Sequence, residues 1–200
     1  MKKILLTMKA RGALMKDSFI TKKAISDALI ELCHYKRFDK ISIADITDKC
    51  RLNRQTLYYH FSDKYDLLEW TYQVGAFSYL AEGVTLENWE EHVLKMLIEI
   101  KEKADFYQNT VSSDSEILSA CFSKVTSTLF MELFERLDLE NHVSQADRCF
   151  YARFFSYGCC GVLVDWIKVG MKETPETIAT QFVRLANDTE FLAYQRLREG

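Results

Sequence analysis

The sequence predicts an all-α protein, for three reasons. Helix-breaking residues are scarce, with one proline and seven glycines among 200 residues, too few to punctuate a many-stranded sheet. Apolar residues make up 48% of the chain and recur at helical spacing. Several of these apolar segments begin with an N-cap residue. A chain of this length can bury one large core or two small ones.

The first 17 residues carry five basic side chains without a sustained apolar period. We therefore predict a loose basic arm over 1–17, either disordered or touching DNA, and a first helix from Ser18. The initial apolar run stops at Lys9, short of a signal sequence. Six cysteines without a C-x-x-C pair favour a reducing cytoplasm. Charged residues interrupt the most apolar stretch, 150–170, so no membrane span is expected.

Two short helices with matching start signals follow. Ser42 is a candidate N-cap with Asp45 three positions later, a variant of the capping box. This pair predicts a helix over 43–49. Asn53 repeats the signal and predicts a second helix over 54–60.

The spacing of these two helices indicates a helix-turn-helix. Only residues 50–52 separate them, and a connection of that length leaves the second helix free to lie in a major groove. Leu57 and Phe61, four apart, would face inward. The next helix is predicted to begin after a cap at Ser62 and to run to about Leu80.

Hydrogen-bonding side chains cover the outward positions of the second short helix and the start of the next. Arginine and glutamine near a helix N-terminus can reach base edges, while hydroxyl and ammonium groups suit phosphate oxygens. A surface helix with a merely polar face is the alternative. The side chains in question are Arg54, Gln55, Thr56, Tyr58, Tyr59, His60 and Lys64.

Charge is unevenly distributed along the chain. Residues 1–70 carry 14 Lys/Arg against 9 Asp/Glu, whereas residues 71–200 carry 12 against 20. A basic first third is expected if that part meets a polyanion. Chance asymmetry in a solvated surface is an equal alternative, because a charge tally carries no geometry.

Residues 20–72 resemble the DNA-binding domain of the TetR family of bacterial transcriptional regulators. The resemblance rests on the Ile-Ala-Asp-Ile run at 43–46, on residues 53–61 and on Lys64, Leu67 and Leu68. It implies DNA-binding residues 18–68 and an acidic domain over 69–200 for dimerisation and effector binding. It also implies a homodimer on double-stranded DNA, and phosphate contacts from Ser42 and Lys64. Bases would be met by Arg54, Gln55 and Thr56, and base or backbone by Tyr58, Tyr59 and His60.

Two positions depart from the family pattern. The family usually has glycine where this chain has Arg51, in a turn that suits left-handed backbone; arginine there would cost about 1 kcal/mol unless the turn differs. Many members have glycine or alanine at the position of Gln55. The Arg-Gln-Thr run at 54–56, with Gly158, Gly161 and Trp166, is most similar to the branch containing the activator of dihydroxyacetone-kinase genes. Activation as well as repression is therefore open.

The rest of the chain reads as helices over about 87–103, 104–111, 115–137, 145–169 and 175–198. The helix over 145–169 is apolar almost all round and must be covered on several sides. With the last helix, it can form a four-helix interface with a second copy, or be buried within one chain. A ligand shifting the helix at 62–80 would change the separation of the two recognition helices.

Aromatic side chains of this part can line an effector pocket or simply fill a core. They are Phe106, Tyr107, Phe122, Phe130, Phe134, Tyr151 and Phe155. Zinc or oxidant sensing would need His92, His142, Cys149, Cys159 and Cys160, which nothing in the sequence brings together. We predict no metal, cofactor or catalytic residue, since enzyme motifs are missing. A helical adaptor that binds protein and no DNA is the alternative to a regulator.

Overall fold

The computed structural model describes the backbone of residues 2–81, 83–85, 87–137 and 143–199. Side chains are described for those residues except 2–16, 187 and 189–199. The described chain forms ten α-helices and no strand, which confirms the all-α prediction. It divides into two compact units, 1–71 and 72–200, close to the boundary predicted at 68/69.

The first unit holds four α-helices and one short 3-10 turn. The turn covers Phe38–Lys40, and the helices are α1 Lys2–Leu32, α2 Ile43–Cys50, α3 Arg54–His60 and α4 Lys64–Val74. The helix expected from Ser18 thus begins at Lys2, and residues 2–17 have helical backbone where the sequence predicted a loose arm. Lysine, leucine, alanine and methionine favour helix there even without an apolar period.

The capping box predicted at α2 is confirmed. The Ser42 hydroxyl accepts a hydrogen bond from the Asp45 backbone N–H at 3.2 Å, and the Asp45 carboxylate accepts one from the Ser42 N–H at 2.7 Å. Lys36 adds an ion pair of 2.6 Å to the same carboxylate. The Lys36 contact and the Ser42 hydrogen bonds hold the pKa of Asp45 well below its usual range.

The N-cap predicted for α3 is confirmed as well. The Asn53 side-chain oxygen accepts hydrogen bonds from the Thr56 N–H and the Thr56 hydroxyl, at 2.7 and 3.0 Å. Leu57 and Phe61 are fully buried and anchor α3 in the head. This helix spans the predicted residues 54–60.

The turn between α2 and α3 puts Arg51 in the left-handed region, with φ 56° and ψ 36°. The Leu52 N–H donates to the Thr47 carbonyl at 3.0 Å, which closes the end of α2. The turn therefore has the geometry that favours glycine, although the chain supplies arginine.

Helix α4 differs from its prediction at both ends. The cap is Asp63 rather than Ser62, because the Asp63 carboxylate accepts from the N–H groups of Tyr65 and Asp66, at 2.8 and 2.9 Å. The helix ends at Val74 instead of continuing to Leu80. A turn at 75–77 follows, where the Ser78 hydroxyl donates to the Gly75 carbonyl at 2.6 Å. A turn of this kind leaves no apolar periodicity in the sequence from which it could be predicted.

The second unit holds the remaining six helices. They are α5 Ser78–Ala81, α6 Trp89–Glu102, α7 Ala104–Ser113, α8 Glu116–Leu137, α9 Gln145–Lys168 and α10 Pro175–Glu199. Helices α8 and α9 pack along each other. The core includes Tyr72 from the last turn of α4, stacked on Tyr107 with ring centroids 5.6 Å apart.

By length and composition, α8 is the described helix that could cross a membrane, over Glu116–Arg136 with a mean hydropathy of 1.3. Residues 150–170, the most apolar stretch considered from the sequence, lie elsewhere in the chain. A core helix of a helical protein passes the same test. Helix α8 packs against α9, and 22% of its most apolar window is buried.

Replacing Arg51 by glycine is expected to stabilise the head. Glycine removes the Cβ strain of left-handed backbone but loses more chain entropy, so the net gain should be about 0.5–1 kcal/mol. Urea unfolding followed by circular dichroism measures it. The matched control, Asp48→Gly within α2, should lose only a few tenths of a kcal/mol, because aspartate is itself a poor helix former; a loss of stability from Arg51→Gly would contradict the strained turn.

Candidate nucleic-acid interface and ligand cavity

Four polar side chains of α3 project into solvent. Arg54, Gln55, Tyr58 and Tyr59 are exposed, the two tyrosines by 55% and 79%. Leu57 between them is fully buried, so one side of α3 anchors the helix and the other is presented outward. Tyrosines this exposed add apolar surface that costs free energy in water and is available to a partner.

The hydroxyls of Ser42 and Thr56 are already engaged by the caps. Ser42 Oγ lies 2.7 Å from the Asp45 carboxylate and Thr56 Oγ1 donates to Asn53. Each hydroxyl has one proton to give, so donation to a phosphate or base requires that proton to leave the Asp45 carboxylate or the Asn53 amide oxygen. Both residues therefore act first as structural parts of the helix starts.

His60 lies half-buried at the end of α3. Its ring packs edge-on to Tyr59, with centroids 4.9 Å apart. Burial lowers the pKa of His60, and the charge of Lys22 lowers it further. The imidazole is thus predominantly neutral at pH 7 and offers one donor and one acceptor rather than a positive charge.

In the structure, Lys64 binds backbone carbonyls of its own chain, whereas the resemblance implied a phosphate contact. Its ammonium donates to the backbone carbonyls of Phe38, Asp39 and Ile41, at 3.0, 3.1 and 3.0 Å. These bonds use all three N–H donors of a lysine. The ammonium also lies 4.8 Å from the Phe38 ring centroid and 5.4 Å from that of Tyr65.

We call this arrangement the Lys64 clamp: the ammonium, the three carbonyls of the 38–41 segment and the two aromatic rings. Burial lowers the pKa of Lys64, partly offset by Asp39. The clamp fixes the segment immediately before the cap of α2. Sequence reasoning missed it because the acceptors are backbone atoms 23–26 residues earlier, which no side-chain pattern reveals.

The second unit contains a cavity of about 360 Å³ between α5, α6, α8, α9 and α10. Of the seven aromatic residues predicted as lining, Phe122, Phe130, Phe134 and Phe155 do line it. Phe106 and Tyr107 are buried beside Tyr72 instead, and Tyr151 is exposed and packs on Phe134. Trp89, Met96 and Phe182 complete the wall; they lie on other helices, and a helical period cannot show which helices converge.

The described residues give no support to the metal-sensing alternative. Across the described residues, no three His, Cys, Asp or Glu side chains form a group suited to a metal ion. His142 lies outside those residues. His92 contacts the Tyr79 carbonyl through Nδ1 at 2.5 Å, and burial raises the pKa of the Cys159 thiol to about 11.

A short helix presented on a capped turn, with a separate helical unit enclosing a cavity, defines a helix-turn-helix regulator class. The family model of bacterial regulatory proteins of the tetR family matches residues 25–70. The model of a transcriptional regulator C-terminal region matches residues 87–188. The chain belongs to the TetR family and is a transcriptional regulator with a helix-turn-helix for DNA.

Individual relatives agree with this assignment. The HTH-type dhaKLM operon transcriptional activator DhaS of Lactococcus lactis subsp. lactis (strain IL1403) is 24% identical over 172 residues, 86% of this chain and 91% of DhaS. A solved structure of dihydroxyacetone kinase operon activator DhaS has a TM-score of 0.70 at 22% identity, covering 87% of this chain and 98% of that one.

Two further solved structures share the fold. The fatty acid degradation regulator FadR from Bacillus halodurans has a TM-score of 0.57 at 17% identity, covering 82% of this chain and 93% of FadR. Native NalD, the secondary repressor of the MexAB-OprM multidrug efflux pump in Pseudomonas aeruginosa, has a TM-score of 0.54 at 20% identity, covering 88% and 96%. The family is one of regulators rather than enzymes.

Replacing Lys64 by methionine is expected to destabilise the head by roughly 2 kcal/mol, because hydrogen bonds from a charged group are lost while the aliphatic stem stays. DNA affinity should fall while the slope of log affinity against log salt is unchanged. A lost phosphate contact would instead lower that slope by about 0.9. Lys40→Met, at an exposed lysine of the same segment, is the matched control and should alter stability little.

Proposed function

We propose that the protein is a ligand-responsive regulator that binds a palindromic operator as a homodimer through α3. The carrying observation is the exposed, polar face of α3 on a head whose caps and turn are fully formed. Repression is the proposed sign, because occupancy of an operator suffices for it, whereas activation also needs a surface for the polymerase. Activation is the alternative, because the related protein DhaS is an activator by its name. A regulator that acts on chromosomal DNA would function in the cytoplasm, which is the proposed location.

The base-reading role falls to Arg54 and Gln55. Both are exposed on the first turn of α3, where a recognition helix contacts base edges. Arginine pairs best with guanine, and glutamine with adenine. Tyr58 and Tyr59 supply hydroxyls for phosphate or base, and neutral His60 adds a hydrogen bond.

Phosphate contacts are proposed at the start of α2. A helix N-terminus leaves backbone N–H groups free and carries partial positive charge. The capping box uses Ser42 and Asp45 but leaves the first-turn N–H groups of Ile43 and Ala44 to an outside acceptor. Ser42 and Lys64 therefore serve phosphate binding by holding this helix start, and direct contact would need them to leave their present partners.

The homodimer is proposed from an apolar stripe on α9. Phe150, Phe154 and Tyr157 are exposed by 53%, 64% and 63%, at spacings that share one side of a helix. A Cβ added at Gly158 or Gly161 would meet no atom within 4 Å, so space is open for a second backbone. On α10, Ile178 is buried and Phe182 and Leu185 line the cavity, while the side chain of Leu192 lies outside the described residues.

A second copy is the proposed cover for this stripe because membership in the TetR family implies a two-fold dimer. A two-fold axis matches two half-sites about 34 Å apart, one helical turn of DNA. Exposed aromatic rings at this density are costly in a monomer. The palindromic operator follows from the same symmetry.

Coupling between the cavity and α3 is proposed to run through α4. Phe122 of the cavity wall lies 5.3 Å from Phe77 between ring centroids, and Phe77 lies 6.0 Å from Tyr72. The Tyr72 hydroxyl donates to Thr110 at 2.6 Å. A ligand that displaces Phe122 therefore acts on the last turn of α4, whose first residue forms the Lys64 clamp. Equal half-site distances in crystals of free and liganded dimer would contradict this route.

Binding to DNA upstream of the protein's own gene tests the regulator function. Affinity should fall steeply with salt. Arg54→Ala should relax preference at one base pair by about 1–3 kcal/mol, and Tyr59→Phe should weaken all sequences alike. Tyr35→Phe removes an equally exposed hydroxyl outside α3 and is the matched control. DNA binding that does not depend on salt, or a complete absence of DNA binding, would favour the protein-binding adaptor.

Replacing Phe154 by glutamate is expected to convert the dimer to a monomer in analytical ultracentrifugation, because a charge would be buried at the two-fold interface without a partner. Operator affinity should fall by at least about tenfold as the second half-site is lost. Thr128→Glu, at an exposed position of α8, should remain dimeric. An unchanged sedimentation coefficient for Phe154→Glu would remove α9 from the interface.

A further inference from the structure

The floor of the cavity in the second unit is apolar and has no hydroxyl proton to spare. Leu80, Met96 and Phe122 form its most buried part. Among the described residues that line the cavity, the fully buried polar group is the Thr126 hydroxyl, which lies 2.9 Å from the Phe122 carbonyl and 2.7 Å from Ser156 Oγ. Ser156 in turn has the Ser123 carbonyl at 2.9 Å. Both protons are satisfied by protein acceptors, so a polar ligand group at the floor would find no donor.

The walls combine aromatic with aliphatic side chains. Six aromatic side chains surround the space: Trp89, Phe122, Phe130, Phe134, Phe155 and Phe182. Rings of this kind favour another ring, edge to face or offset, beyond the gain from burial alone. The Cys159 thiol also lines the cavity, and its raised pKa keeps it uncharged at pH 7.

Charge is confined to the rim. Glu90, Glu132 and Arg136 line the cavity, and all three are exposed. An exposed charge acts through water and contributes little to binding. The described lining therefore holds no buried charge that could pair with an ionised ligand group, and burying such a group unpaired is strongly unfavourable.

The volume limits the size of the ligand. About 360 Å³ lies near the lower end of the range for drug-sized sites. At roughly 30 Å³ per water-sized unit, it holds about a dozen non-hydrogen atoms. A bicyclic aromatic molecule fits this limit, whereas a bulky cofactor-like conjugate exceeds it.

We propose that this cavity binds a compact, uncharged aromatic molecule of about a dozen non-hydrogen atoms, and that such a compound is the effector of the regulator. The second half of this statement rests on the proposed ligand-responsive function. Binding itself depends only on the cavity. Ligand binding and the effector role can therefore be refuted independently.

Three naphthalene derivatives of similar size and different charge test the ligand class. Isothermal titration calorimetry of the full-length protein without DNA would compare 1-methoxynaphthalene, 1-naphthoate and 1-naphthylmethylammonium. The neutral compound should bind with a Kd on the order of micromolar, and each ion about tenfold more weakly or worse. Tighter binding of 1-naphthoate that is lost in Arg136→Gln would overturn the proposal, as would tighter binding of the ammonium that is lost in Glu90→Gln.

A cavity-filling variant locates the site. Val93→Trp places a large side chain in the cavity wall and should weaken binding of 1-methoxynaphthalene by more than about tenfold. Thr128→Trp, at an exposed position of α8 outside the lining, should leave it unchanged. Circular dichroism and thermal melting check that both variants fold, and Val93→Phe provides a smaller filling change. Equal affinities in wild type and both Val93 variants would overturn the site.

Operator affinity with and without 1-methoxynaphthalene then tests the effector role. A change in wild type that is absent in Val93→Trp supports it. Binding without any change in operator affinity refutes the effector role and leaves the ligand class intact. Loss of operator binding in the absence of ligand is a separate result, which bears on the regulator function alone.

Discussion

The head depends on the Lys64 ammonium. Its three hydrogen bonds hold the carbonyls of the 38–41 segment directly before Ser42, and Ser42 starts α2. The position of α2 determines the turn at Arg51, and the turn determines where α3 begins. One partly buried cation thus influences the 38–41 segment, α2, the turn at Arg51 and the start of α3. Its burial has an electrostatic cost, seen in the lowered pKa, which the carbonyl dipoles and aromatic faces offset.

The polar residues of the head divide into those that build and those that are presented. The side chains of Ser42, Asn53 and Thr56 form hydrogen bonds at the N-termini of α2 and α3. Arg54, Gln55, Tyr58 and Tyr59 remain exposed. This division is economical because α3 has only two turns, and a helix this short needs its caps and buried Leu57 to persist in water. Recognition can then use rigid side-chain positions without first ordering the helix.

Helix α4 belongs to both compact units, with residues 64–71 in the first and 72–74 in the second. Its first residue holds the segment before α2, and Tyr72 near its end is packed against Tyr107 and bonded to Thr110. The turn at 75–77 places Phe77 next to both Tyr72 and Phe122 of the cavity wall.

The sequence by itself determined the local features: the all-α class, the two capped helices predicted at 43–49 and 54–60, the inward Leu57 and Phe61, and the family. These follow from N-cap chemistry and apolar period, which act over three or four residues. Tertiary structure alone decided what long-range packing controls. Long-range packing brings Lys64 to the carbonyls of the 38–41 segment. It places Phe106 and Tyr107 in the core, and Phe122 and Phe130 at the cavity. It also leaves the stripe of α9 exposed. The position of an aromatic residue on its own helix does not show whether it lies in the core, at the cavity or on the surface, because the neighbouring helices decide this.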